Sequence, residues 1–141
     1  MSKLGPKAVV LSPGYIAGLP IESFEDISRG EIYWRTLFTR PNTPTSDFSA
    51  GIAVCPARTG QLCQHNHAQA EIYYILKGRG IVTLGGVSYK VEPGSAVFIP
   101  GSMEHSVATC GDEPLEWLYI FPSDSFSDVV YRFSKGGKPK L

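Results

Sequence analysis

Residues 60–78 read GQLCQHNHAQAEIYYILKG, and the spacing of the polar side chains within them decides the fold. His65 and His67 stand two apart, so on an extended strand both imidazoles fall on one face. Glu71 follows four residues after His67. On an unbroken strand it would lie roughly 13 Å away, at about 3.3 Å per residue, too far to share a bound ion. The chain is therefore expected to turn at Ala68-Gln69-Ala70 and to bring Glu71 back opposite His67 as the first residue of a returning strand. His105, the last of the three histidines, closes the segment GSAVFIPGSMEH of residues 94–105, where Pro100-Gly101 turns the chain. It is expected to approach the other ligands from the opposite wall.

Outward from this segment, glycine and proline punctuate short runs rich in Val, Ile, Tyr, Phe and Thr. That rhythm marks an all-β barrel or sandwich. Strands are expected at residues 31–39, 48–57, 61–67, 71–77, 80–84, 87–91, 96–99, 104–109 and 115–121. Gly85-Gly86, between IVTL and VSYKV, signals a two-residue hairpin, because both turn positions can take positive φ. The division expected is an N-terminal arm over 1–30 with a short helix around 21–27, a barrel over 31–134 and a disordered tail over 135–141. With 141 residues the chain has room for one hydrophobic core.

Three imidazoles and one carboxylate suit a divalent transition metal, Fe, Mn, Ni, Cu or Zn, and leave two positions open in an octahedral shell. Open positions point to a substrate or ligand rather than a closed structural site. The inward parity of Glu71 is shared by Tyr73, which places a phenol beside the ion as a candidate base. Cys63 has the parity of His65, and it is either a pocket residue or a small buried apolar one.

The pattern G-x4-HxH-x3-E-x6-G from Gly60 to Gly78, with G-x5-P-x4-H from Gly94 to His105, closely resembles the two motifs of the cupin superfamily. The resemblance implies a single jelly-roll-like cupin barrel with His65, His67, Glu71 and His105 as metal ligands. Ser102 and Thr109 stand where that family usually has Gly and Asn. A narrower resemblance joins HxHxxxEIYY with IFPSDSFSDVVY, and it looks like the small cupin dimethylsulfoniopropionate lyases. It implies that Tyr73 removes an α-proton from a metal-bound carboxylate, that Tyr131 is a second pocket tyrosine, and that Trp117 or Tyr119 contributes an aromatic wall. The N-terminal third carries no such match, and Asn66 replaces the aromatic residue common between the two histidines.

Thirteen basic and thirteen acidic residues cancel, and no basic stretch follows a phosphate backbone or an anionic membrane. The N-terminus shows neither a secretory signal nor a spanning segment, so a cytoplasmic location is expected. Cys55, Cys63 and Cys110 are odd in number and widely spaced, as reduced thiols are. Three functions fit: a metal-dependent lyase or isomerase acting beside a carboxylate or carbonyl, an iron dioxygenase, and a small-molecule-binding module without catalysis. The cupin resemblance adds a homodimer, with Tyr33 or Trp34 either at its contact or covering the barrel's end.

Overall fold

The computed structural model describes residues 5–134, so the tail expected over 135–141 lies outside the described residues. The period-two alternation of the sequence becomes strands with one face inward. Along β5 (Glu71–Lys77), Glu71, Tyr73 and Ile75 are buried while Ile72, Tyr74 and Leu76 face out. Along β10 (Leu115–Phe121) the buried series is Leu115, Trp117, Tyr119 and Phe121. The other segments read as strands form as β2 (Tyr33–Phe38), β3 (Ser49–Cys55), β4 (Gln61–Asn66), β6 (Gly80–Leu84), β7 (Val87–Val91), β8 (Ala96–Ile99) and β9 (His105–Thr109). Short strands β1 (Glu22–Ser23) and β11 (Arg132–Phe133) extend the sheets at their edges.

All pairs are antiparallel, in a six-stranded sheet β1-β2-β3-β10-β5-β8 and a five-stranded sheet β11-β4-β9-β6-β7. Among the described residues no hydrogen-bonded ladder closes the two into one barrel. The result is a jelly-roll-like all-β sandwich with its apolar contacts between the sheets. Phe121, Leu115 and Ile99 are fully buried there. Each such side chain contributes about 1.5–3 kcal/mol of hydrophobic stabilisation.

The short helix expected around residues 21–27 is absent. The helical turn forms earlier, as α1 (Pro13–Ala17), where Ser12 Oγ accepts from Tyr15 N at 3.1 Å and Pro13 starts the helix. Glu22 and Ser23 instead pair with Trp34 and Tyr33, and Glu22 accepts a 2.7 Å hydrogen bond from Thr36 Oγ1. Asp26 then caps a 3-10 turn at Ile27–Arg29, accepting from Ser28 N at 3.0 Å. Ladder pairing and the Asp26 cap together override the weak helical propensity of this segment.

Two glycine sites are structural requirements. Gly85 and Gly86 have φ of 55° and 87° and close the hairpin in which Leu84 pairs with Val87. Gly51 sits on the inner face of β3 with its register partner Tyr119 folded over it, and a Cβ there would meet the Tyr119 hydroxyl and lie 2.7 Å from the carbonyl oxygen of Arg35. Gly51→Ala should therefore cost about 1–3 kcal/mol through overpacking. Urea unfolding of the variant checks this, and wild-type stability would show that Tyr119 is free to move aside.

Candidate metal centre and cavity

His65 lies on β4 and His105 on β9, and the two are register partners with ring centroids 4.1 Å apart. His67 lies one residue beyond β4, its ring 4.9 Å from that of His105. Glu71 opens β5, which belongs to the other sheet. The arrangement therefore reverses one expectation of the sequence: His105 stands beside His65 on the same sheet, and Glu71 is the residue that comes from the opposite wall. Both edges of β4 are taken, by β9 and β11, so the chain leaving it cannot return as a hairpin and crosses to the facing sheet.

Each imidazole is oriented by a backbone carbonyl. His65 Nδ1 bonds to Cys63 O at 2.8 Å, His67 Nδ1 to Gln69 O at 2.9 Å and His105 Nδ1 to Met103 O at 2.8 Å. A carbonyl only accepts, so each Nδ1 carries a proton and each ring turns its Nε2 inward. The three histidines offer ligand nitrogens within 4.8 Å of one another, and all are buried. Glu71 Oε1 lies 3.1 Å from His67 Nε2 and 3.5 Å from His105 Nε2. His65 Nε2 and His105 Nε2 find no hydrogen-bond partner among the protein groups.

Three ring nitrogens and a carboxylate oxygen thus converge in a buried space. Acceptors held this close repel unless a cation or a proton sits between them. Three imidazole nitrogens and a carboxylate, each imidazole held by an outer hydrogen bond, form a donor set that fits a divalent transition metal. Burial first, and the neighbouring His105 second, push the His65 imidazole down to about 2, so this ring stays neutral and ready to donate a lone pair.

The cluster borders a small cavity of about 20 Å³ whose walls include Glu71, Tyr73, Tyr131, Trp117 and Tyr119. Tyr73 is buried with its hydroxyl unpartnered, its ring 6.4 Å from that of His105 and 5.4 Å from that of Trp117. Burial chiefly, and the Glu71 carboxylate next, hold its phenol well above the usual tyrosine range. Tyr131 stacks on His65 with centroids 4.9 Å apart and planes 28° apart, and burial raises its phenol likewise.

Cys63 does not line the cavity. A register shift between Leu62 and His65 breaks the alternation, so Leu62 takes the inward place. The Cys63 thiol instead donates to Ser28 O at 3.3 Å. Trp34, read as an outward contact or an end cover, lines the cavity together with Phe24 and Phe126. Phe24 and Phe126 carried no signal in the sequence, because they stand in turns rather than in alternating strands. Trp34 faces inward because its register partner Ala53 is also that of inward Trp117.

A family model for the cupin domain matches residues 54–121. Dimethylsulfoniopropionate lyase DddW of Ruegeria pomeroyi is 38% identical over 117 residues, covering 82% of this chain and 75% of that protein. A glucose-6-phosphate isomerase of Thermococcus onnurineus is 39% identical over 80 residues, or 51% of this chain and 42% of the isomerase. The solved structure of the polyketide cyclase RemF from Streptomyces resistomycificus aligns with a TM-score of 0.69 at 22% identity, covering 89% of this chain and 83% of that one. A chain from the structures of the DMSP lyases RdDddP and RnDddQII aligns with a TM-score of 0.67 at 19% identity, covering 82% and 62% of the two chains. At these identities the two structures speak to the fold.

Two measurements test the cluster. His65→Ala and His105→Ala should each lower bound divalent metal by more than about tenfold, the scale of loss expected from outer-shell partners alone. Elemental analysis reads this, and unchanged metal content would remove the site. In the metal-stripped protein, the unfolded chain protonates His65 below its ordinary value of 6.5 while the folded chain resists until about 2. Stability should therefore fall as the pH drops through that window, by up to about 1.4 kcal/mol per pH unit. Urea titrations of wild type and His65→Gln would show the steeper slope in the wild type, and equal slopes would reject the assignment.

Proposed function

The chain belongs to the cupin family, and on that premise we propose that it is a metal-dependent lyase that removes the α-proton of a small carboxylate and expels a group from the β-carbon. The observation that carries this reading is the position of Tyr73. Its unpartnered phenol lies in the cavity on the same strand face as Glu71, two residues from it. The 38% identity to a dimethylsulfoniopropionate lyase over most of both chains supports the same reaction class.

We assign the ligands as His65, His67, Glu71 and His105, with Fe, Mn, Ni, Cu or Zn as the resident ion. When bound, such an ion would neutralise Glu71, favour ionisation of Tyr73 and steady the negative charge that develops at the α-carbon of a carboxylate beside it. The chain's own residues supply the rest. Tyr73 takes the proton, and its burial keeps competing water from the phenolate. Tyr131, stacked against His65, places a second phenol in the cavity to orient the carboxylate. The buried ring of Trp117 against Tyr73 limits the rotation of the base.

Isomerisation is the second reading, because it starts with the same proton abstraction and part of the chain is 39% identical to a glucose-6-phosphate isomerase. The two part at the β-carbon: a lyase releases a leaving group, an isomerase returns the proton. With 3-(dimethylsulfonio)propionate under anaerobic conditions, the lyase reading expects dimethyl sulfide and acrylate by gas and liquid chromatography. Tyr73→Phe should lower kcat by about 10²–10⁴-fold with bound metal unchanged. Full activity in that variant would sink Tyr73 as the base, and a strict requirement for oxygen would favour a dioxygenase.

A further inference from the structure

The cavity is too small for what is expected to react in it. At about 20 Å³ it holds roughly one water molecule, and its lining residues Glu71, Tyr73, Trp117 and Tyr119 are no more than 4% exposed. A carboxylate bearing a leaving group is several times the size of a water. The structure is therefore a closed form, and a wall must move to admit a substrate.

Two outer hollows show where the wall is thin. One, a cleft of about 960 Å³, has Tyr15 of α1, Thr36 of β2 and Arg40 and Thr43 of the segment joining β2 to β3 among its lining. A single side chain, Phe126, lines both that cleft and the cavity. The other hollow, of about 550 Å³, is parted from the cavity by two side chains, Phe24 and Ile32.

The two partitions are held differently. Ile32 belongs to the buried core, and Phe24 packs on Trp34, Phe133 and Tyr131 with ring centroids 4.9, 5.4 and 5.6 Å away. The Phe126 ring is held at longer range, with Tyr119 and Phe121 at 5.5 and 5.9 Å. It stands on the 3-10 turn Phe126–Asp128, whose N-cap Ser125 makes no side-chain cap bond, whereas the turn after Phe24 is capped by Asp26. Arg40 N donates to Asp124 O at 2.9 Å and Gln69 Nε2 to Asp128 O at 3.3 Å, and these bonds pin the chain before and after the door. The part left to move is residues 125–127, held to the cleft wall by Phe126 N donating to Thr39 Oγ1 at 2.8 Å. Its ring can pass from one staggered side-chain well to another without disturbing the sheets.

We propose that substrate enters from the cleft beside α1 as Phe126 swings outward with its turn, which makes Phe126 the access-determining residue of the site. The inference rests on the reading of the cavity as the place of reaction. A doorway one ring wide should open when that ring is removed and seal when the cleft is filled from outside.

Plugging each hollow in turn separates the two entrances. In a Cys110→Ser background, whose remaining thiols Cys55 and Cys63 are buried, Ser127→Cys places a thiol in the cleft and Ser23→Cys places one in the other hollow. Each protein is loaded with zinc and then coupled to a bulky maleimide. The Ser127 adduct should release zinc to excess pyridylazoresorcinol, and turn over dilute 3-(dimethylsulfonio)propionate, at least about tenfold more slowly than its unlabelled form. The Ser23 adduct should match its own unlabelled form in both, and Phe126→Ala should release zinc faster than wild type. Slowing by the Ser23 adduct alone, by both adducts alike or by neither overturns the route, whatever reaction the site performs. Zinc release slowed by the Ser127 adduct in a protein that turns over nothing would instead sink the lyase reading and leave the entrance standing. Both plugged positions are exposed, so the comparison does not depend on disturbing the core.

Discussion

The site depends on three short hydrogen bonds from imidazole Nδ1 atoms to the backbone carbonyls of Cys63, Gln69 and Met103. Each joins a histidine to a residue two positions away, so the tautomer is set by local chain geometry rather than by distant side chains. The rings cannot rotate or exchange protons without breaking a buried bond, an expensive change in a low-dielectric interior. The result is directional: every Nε2 points to one spot, and the chain surrounds that spot with aromatic rings. The centre is therefore organised before any ligand arrives, which lowers the cost of assembling it around an ion.

Most of the strand plan was legible because the alternation of buried and exposed residues is long and unbroken in β5 and β10, where one face is committed to the core. The donor set was legible for a different reason: the chain's only histidines occupy a spacing that strand geometry can focus. Parity failed where a bulge interrupts it, at Cys63, since a two-residue count assumes an unbroken ladder. The walls were misassigned for Glu71 and His105 because spacing alone tells where a chain turns, not which sheet receives it. The aromatic half of the cavity was the least legible. Phe24 and Phe126 enter from turns, where no periodicity announces which way a side chain points.

The two ends of the cavity are made by different means. At the metal-ligand end, polar atoms are brought together by backbone hydrogen bonds and strand register. At the other end, the small inner residues of β3 leave room for large rings from β2 and β10, and Gly51 in particular accommodates Tyr119. The same sheet thus carries both a packed core around Leu115 and Phe121 and a small cavity a few residues away. That contrast is a matter of side-chain volume along one strand rather than of any change in backbone architecture.

The crossing of the chain between His67 and Glu71 has a consequence for the life of the protein. The histidines belong to one side of the sandwich and the carboxylate to the other, and no ladder ties the two sides together among the described residues. An ion gripped by both would act as a rivet across the sandwich, adding its binding free energy to the cohesion of the sheets. Starvation for that ion would then loosen the chain as well as silence its chemistry. Cellular proteases act on opened chains, so abundance would follow metal supply, and the empty protein would be cleared rather than stored.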